Sequence, residues 1–479
     1  MSEEFISTQT EWGYESPRKE CGVFGIYDMS GNQVAETIYY GLLALQHRGQ
    51  KSCGIAVSDT NGPRDVKMKK GMGMVPDVFD EDDLNKLTGN LGVGHVRSPK
   101  FGEAVITNAQ PLVINYVKGT LILAHNGTIV NSNYIRDELA YSGSIFQTSI
   151  DSETIAYLIA KERINSKDVE EAVARALEQI KGSYALVMAS PRKLIGARDP
   201  FGIKPLCIGI RDNAYILSSE SCALESIGAT FVRDVAPGEI VTIDHNGINS
   251  DMSMCISDDM QKRCIIEYMY FARPDSNIDG VSIYNSRIMA GKILAEDSPV
   301  DADVVVGVPD SGEISATGFS LQSGIPCVNA FVWNDYTGFN FVKPKAGTRN
   351  EGTKVKLGVV REAVEGKRVV VIDDSIIRGV TAENIVKMLR EAGAKEVHVR
   401  VTTPAHIGNC AFGPDFYSEE KPIAFDKSVD EIKTHINADS LAFLKMERLS
   451  ELTGGKAVCT GCFDGNYPMV PPREQIYEY

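Results

Sequence analysis

Three Val-rich runs, "DVVVGVPDSG", "RVVVIDDSIIRG" and "EVHVRVTTPAH", constrain this chain more than any other feature. A strand covered on one face alternates apolar with polar residues, whereas a continuously apolar strand must be buried on both faces. Each run ends in a polar loop. Between the second and third, "TAENIVKMLREAGA" has helical periodicity and is stopped by Gly393. This alternation predicts a doubly wound parallel α/β sheet, with function at the carboxyl ends of its strands.

The rhythm is different between Cys21 and about Asp251. "CGVFGIYD", "LGVGHV", "GTLILAHNG", "SYALVMA" and "AYILSSE" are apolar runs of strand length bounded by Gly, Asn or Asp. Two segments carry helical spacing instead, through Ile38, Leu42 and Leu45 and through Ile155, Leu158 and Ile159. Clustered strands with few helices predict stacked sheets flanked by helices. The polar stretch "NGINSDMSMCISDDM" places a boundary near residue 255, and 479 residues are too many for one ordinary core. The section from Ala330 to Gly366 is rich in Gly, Lys and Asn with little periodicity, and reads as a mobile lid.

"VVVIDDSIIRGVTAENIV" joins a buried strand to a helix through a turn that exposes backbone N–H groups where the helix dipole favours an anion. Gly379 allows close approach, and Ser375 and Thr381 add hydroxyl donors, with Arg378 in the same turn. Asp373 and Asp374 are out of place beside a phosphate unless they meet ribose hydroxyls, a divalent cation or positive charge developing at a sugar carbon. Phosphoribosyl pyrophosphates combine all three. The plainer alternative is a capped helix after a strand, with the acids stabilising its dipole.

Order begins at a cysteine. In "SPRKECGVFGIYD" a polar lead-in gives way to an apolar strand at Cys21, which is either a small core residue or the true first residue once the lead-in is removed. A C-x-x-C pair, Cys459 and Cys462, suits a redox pair, a zinc knuckle or an iron–sulfur corner. The formal charge of −15 argues against nucleic acid as a general partner. With no secretory signal and no apolar run of about 18 residues, neither export nor a membrane is expected, and the cytoplasm is the default compartment.

"VIDDSIIRGVTA" resembles the phosphoribosyl pyrophosphate motif of type I phosphoribosyltransferases. From Cys21 to Pro468 the chain resembles the glutamine phosphoribosylpyrophosphate amidotransferase family, through "ECGVFGI", "ALQHRGQ", "GHVR", "NAQPL", "AHNGTIVN", "RDPFGIKPL", "APGE", "EYMYFARPDS", "VPDSG" and "ADSLAFL". The resemblance implies an N-terminal-nucleophile αββα glutaminase sandwich (21–255) and a doubly wound phosphoribosyltransferase domain (256–479). Residues 1–20 are then a propeptide and Cys21 the nucleophile. By the same resemblance Asn126 and the Gly127 N–H form the oxyanion hole, Arg97 binds the glutamine carboxylate and Asp151 holds its amino group. Asp373, Asp374, Ser375, Arg378, Gly379 and Thr381 bind the phosphoribosyl substrate, with Ser311, Asp373 and Asp374 serving Mg²⁺. Cys264, Cys410, Cys459 and Cys462 fall where one branch of the family holds a structural [4Fe–4S] cluster. The resemblance also implies a dimer or tetramer and purine nucleotide inhibition.

The match is weakest in the lid, where Trp333, Asp335 and Phe339 replace three basic residues of the family; Arg349, Lys354 and Lys356 remain downstream. Ser98 stands where the family has an aromatic residue after its "GHVR" arginine, and Val380 where it usually has Thr. The expected activity is an amidophosphoribosyltransferase that passes ammonia from glutamine to the activated ribose. The alternatives are a paralogue acting on another substrate and a catalytically silent nucleotide- or oxygen-sensing regulator.

Overall fold

The structure is a computed structural model that describes residues 21–62, 65–98, 104–334, 357–413 and 421–469. The expected propeptide (1–20) and the lid residues 335–356, with Asp335, Phe339, Arg349, Lys354 and Lys356, lie outside the described residues.

The N-terminal part is built on two antiparallel sheets, one of seven strands and one of six. The Gly22–Asp28 strand lies near the middle of the first, between Ala214–Ser218 and Leu91–Arg97. Its apolar sequence follows from that place. Phe24 and Ile26 pack with the Ala35–Ala44 helix on the outer face, while Val23 and Tyr27 face the second sheet. The helix brings Ile38, Leu42 and Leu45 to full burial, each worth about 1.5–3 kcal/mol relative to exposure. It approaches so closely that a Cβ at Gly41 would stand 2.4 Å from the Phe24 ring.

In the second sheet, Gly119–Ile129 and Gly182–Ser190 pair at its interior. The Asp151–Glu162 and Val169–Leu177 helices cover its outer face, burying Ile155, Leu158 and Ile159 as their spacing predicts. The layers therefore run helix, sheet, sheet, helix.

Further along, four parallel strands take the order Val304–Gly307, Arg368–Asp373, Glu396–Val401, Ser440–Phe443. Alternate residues feed two cores. Val370 and Ile372 meet the Ile283–Asp297 and Ser311–Ser323 helices on one face, and Val369 and Val371 meet the Val380–Glu391 helix on the other. A short antiparallel ribbon, Phe331–Trp333 with Leu357–Val359, lies within the expected lid and carries Trp333 partly exposed.

Candidate functional site

Cys21 immediately precedes the central Gly22–Asp28 strand, whose Gly22 registers with Val96, the residue before Arg97. Its thiol lies 3.6 Å from the Ser98 carbonyl oxygen, and its own carbonyl accepts a 3.0 Å bond from Arg48 Nε. Arg97 is buried at the end of its strand. Burial lowers its pKa, and the charges of Cys21 and Asp151 oppose that shift, so three residues distant in sequence share one neighbourhood. The Gln46–Arg48 turn packs tightly there: a Cβ at Gly49 would stand 2.6 Å from the Arg97 backbone nitrogen.

Asn126 and Gly127 lie on the Gly119–Ile129 strand. The Asn126 Nδ2 is buried and has no hydrogen-bond partner among the described residues. Such a donor costs about 1–3 kcal/mol, and a site that must receive a developing oxyanion gives it a purpose. Gly127 has φ +144° and no room for a side chain, since a Cβ would meet the Ser183 carbonyl oxygen at 2.1 Å.

Asp151 opens the Asp151–Glu162 helix. One oxygen accepts the Ile129 N–H at 2.9 Å and the other stands 3.6 Å from His125 Nδ1. Burial alone raises the Asp151 pKa, but His125 and the backbone donors outweigh it and hold the carboxyl below its ordinary value. A cavity of about 510 Å³ opens beside it, bounded by Asn108, Arg136, Gln147, Ser149, Asp151 and Thr154. Cys21, Arg97, Asn126 and Gly127 are not among the residues lining this cavity.

In the second unit, Asp373 ends the Arg368–Asp373 strand and Asp374 begins the turn. Both are buried. The hydroxyls of Ser311, at the start of its helix, and Ser375 donate to Asp374, and Asp373 accepts the Asp374 N–H at 2.9 Å. Burial and the Asp374 charge push Asp373 well above the usual carboxylate range; burial also raises Asp374, against the pull of Ser311, Ser375 and Arg287. Gly379 is the N-cap of the Val380–Glu391 helix with φ +90°, a left-handed conformation that favours glycine. Thr381 is buried, Arg378 partly exposed and Val380 exposed. Ser311, Asp373, Asp374 and Ser375 are thus drawn together at a strand's carboxyl end.

The four cysteines converge as well. Cys264 and Cys459 are direct partners in a parallel pairing of Arg263–Cys264 with Val458–Cys459, and the Cys462 thiol lies within electrostatic reach of Cys410, Cys264 and Cys459. Burial pushes the Cys459 thiol up to about 12 and Cys462 well above its ordinary value. As they stand, no three His, Cys, Asp or Glu side chains among the described residues form a group that could hold a metal.

Sequence reasoning passed over Arg48, Glu220, Glu267 and Arg287, although three of them sit inside quoted stretches. Arg48 is fully buried between Glu220 and Glu267, at 2.6 and 2.7 Å. Glu267 opens the Glu267–Phe271 π turn, whose flanking carbonyls at Tyr268, Tyr270 and Ala272 accept bonds from Arg287 at 3.1, 3.1 and 2.7 Å. The signal available in the sequence was a charge embedded in an apolar run. It says that a residue needs a partner but not which one.

A family model for a glutamine amidotransferase domain matches residues 100–226. Fold and sites thus define a glutamine-dependent transferase with a sandwich at one end and a doubly wound sheet at the other. The amidophosphoribosyltransferase of Methanocaldococcus jannaschii is 44% identical, with 95% of this chain and 99% of that one covered. The Synechocystis amidophosphoribosyltransferase is 45% identical, covering 96% and 92%. A solved Bacillus subtilis glutamine phosphoribosylpyrophosphate amidotransferase, complexed with ADP and GMP, superposes with a TM-score of 0.88 at 41% identity, covering 95% of this chain and 98% of that one. The chain belongs to the amidophosphoribosyltransferase family. Its activity is that of a glutamine-dependent pentosyltransferase of purine biosynthesis.

Proposed function

We propose that residues 1–20 are removed and that Cys21 then attacks the amide carbon of glutamine. A free α-amino group has a pKa near 7.7–8.0, so at neutral pH a fraction of it can take the thiol proton; an acylated nitrogen cannot. The thiolate forms a thioester and ammonia leaves. Asn126 Nδ2 and the Gly127 N–H receive the oxyanion, Arg97 takes the α-carboxylate and Asp151 the α-amino group. Water hydrolyses the thioester to glutamate. The ammonia attacks C1 of 5-phosphoribosyl 1-pyrophosphate, and pyrophosphate leaves as 5-phosphoribosylamine forms.

The observation that carries the first site is the buried Asn126 Nδ2 without a partner among the described residues, on the strand whose Ile129 N–H holds Asp151. In the second, the turn from Ser375 to Thr381 holds the phosphoribosyl group. Buried, adjacent carboxyls whose affinity for protons is raised suit a bound cation, so Asp373 and Asp374, with Ser311 beside them, fit Mg²⁺. When bound, Mg²⁺ neutralises charge on the pyrophosphate.

Cys264, Cys410, Cys459 and Cys462 fit a [4Fe–4S] cluster as a donor set: Cys264 pairs with Cys459, Cys462 lies in the field of the other three, and burial raises Cys459 and Cys462, favouring their neutral thiols unless a cation binds. They would tie the C-terminal segment to the second unit's core. We divide the chain into a propeptide (1–20), a glutaminase (21–255) and a phosphoribosyltransferase (256–479), and infer cytoplasmic residence, a homodimer or homotetramer and purine nucleotide inhibition. No helix among the described residues is long and apolar enough to cross a membrane.

The test uses anaerobically purified protein, checked for its first residue by mass spectrometry, with glutamine, phosphoribosyl pyrophosphate and Mg²⁺. Equal release of glutamate and pyrophosphate from a chain beginning at Cys21 is the expected result. Activity from a chain that keeps residues 1–20 overturns the nucleophile assignment. Glutamate without pyrophosphate overturns the second site.

A further inference from the structure

His125 precedes Asn126 on the Gly119–Ile129 strand and is buried beneath the first site. Its backbone is held on both sides: the N–H donates to Gln110 Oε1 at 2.8 Å, and the carbonyl accepts from His95 Nε2 at 3.1 Å. A carbonyl can only accept, so the His95 proton sits on Nε2. Burial holds the His95 pKa at about 3, so that ring is neutral, and its bare Nδ1 has no partner among the described residues.

The His125 ring points the other way, toward the start of the Asp151–Glu162 helix. Its Nδ1 lies 3.2 Å from Ser152 Oγ and 3.6 Å from Asp151 Oδ1, while its buried Nε2 has no partner among the described residues. Ser152 Oγ is the hydrogen-bond partner of Nδ1, and a proton on Nδ1 faces the Asp151 carboxylate beyond it. Asp151 is held at one oxygen by the Ile129 N–H, and its other oxygen faces His125 Nδ1 across 3.6 Å, a charge–dipole contact longer than a hydrogen bond. Both groups belong to the strand that carries Asn126 and Gly127. One strand thereby fixes the carboxylate and the oxyanion donors in a single frame.

We propose that His125 is a positioning residue for glutamine recognition, holding the Asp151 carboxylate against the substrate's α-ammonium group. The inference rests on the assignment of Asp151 to that group. His125 touches neither the reacting carbonyl nor the thiol, so its contribution is to affinity for the α-amino end. Substrates that lack this end gain nothing from it.

The test compares His125→Leu, which removes the donor, with His125→Asn, whose Nδ2 stands near the place of Nδ1. Activity with free ammonia, which bypasses the first site, reports folding. For His125→Leu the KM for glutamine rises about tenfold, as the Asp151 carboxylate loses the ring that faces it, while kcat at saturating glutamine is largely kept. His125→Asn restores the KM. Hydrolysis of glutaramate, which is glutamine without its α-amino group, is the same in all three proteins.

An unchanged glutamine KM in folded His125→Leu overturns the proposal, as does an equal loss on glutaramate. Asp151→Asn separates the two layers of the argument. If it leaves the glutamine KM unchanged, the Asp151 assignment fails; if it raises KM while His125→Leu does not, only the His125 role fails. Should His125→Leu not fold, selective ¹⁵N-histidine spectra of wild type and Asp151→Asn decide. A shifted Nδ1–H resonance for His125 supports the contact and an unmoved one overturns it.

Discussion

Arg48 and Glu267, 219 residues apart in sequence, form a doubly hydrogen-bonded, fully buried ion pair, with Arg48 Nη2 2.7 Å from Glu267 Oε1 and Nη1 3.0 Å from Oε2. The same guanidinium donates to the Cys21 carbonyl at 3.0 Å. Beyond Glu267, Arg287 holds the carbonyls of the same π turn and lies in the field of Asp374. Hydrogen bonds thus run from the Cys21 carbonyl through Arg48 and Glu267 to the π turn that Arg287 holds, and Arg287 lies within electrostatic reach of Asp374.

Removing one partner of a fully buried pair costs about 3–5 kcal/mol, less here because Arg48 keeps its bond to Glu220. Glu267→Gln is accordingly expected to unfold at clearly lower urea. Its glutamine-dependent synthesis falls more than its ammonia-dependent synthesis, because the lost contact reaches Cys21 through Arg48. Equal loss of both activities would mean that the pair serves stability alone.

Asn126→Ala deletes a donor that is unpaired in the resting protein. The expected loss in kcat for glutamine hydrolysis is about 10²–10³-fold with KM little changed. Thermal stability should hold or rise, since a buried unsatisfied amide disappears. A marked drop in Tm would show that the amide is structural.

Asp279 joins Arg198 and Arg263 at 2.7 and 2.6 Å. Burial raises its pKa, but the two guanidinium groups outweigh that and hold it at about 2. A carboxyl depressed in the folded state stabilises above its unfolded pKa, and that contribution disappears as pH falls through the folded value. About 2 kcal/mol is therefore present above pH ~4 and lost toward pH ~2. Acid unfolding of Asp279→Asn against wild type checks this: the gap between them narrows over that window and persists at neutral pH.

For Asp373 the sign is opposite. A carboxyl raised by burial and by Asp374 favours folding most when protonated, and this advantage is lost as pH rises through the folded pKa. Asp373→Asn is expected to raise Tm at neutral pH without Mg²⁺, to abolish pyrophosphate release and to leave glutamine hydrolysis by the first site intact. In wild type, the Mg²⁺ needed for half-maximal synthesis increases as pH falls, because protons compete for the same oxygens.

If the cysteines hold the proposed cluster, anaerobic protein contains iron and acid-labile sulfide in equal amounts, with a broad visible absorbance that bleaches in air. Cys462→Ser loses both together with the tail's resistance to proteolysis. Zinc without sulfide would replace the cluster with a tetrahedral zinc site.

Much was legible locally. The buried burial pattern of "RVVVID", the helix through Ile155, Leu158 and Ile159, and the glycine demanded at position 379 each depend on neighbours within a turn or a strand. The αββα order and the gathering of Cys21, Arg97 and Asp151 were reached through resemblance, since no spacing rule joins residues so far apart. Local periodicity shows which face of an element is apolar. It does not name the element that will cover it.

Tertiary structure alone decided the partners of the buried polar groups. "ALQHRGQ" and "EYMYFARPDS" give no sign that Arg48 meets Glu267, nor does "AHNG" show that His125 turns toward Asp151. The physical reason is desolvation. A charge or imidazole withdrawn from water must find its partner among the groups that final packing brings within about 3 Å, and that choice is made by all the layers together.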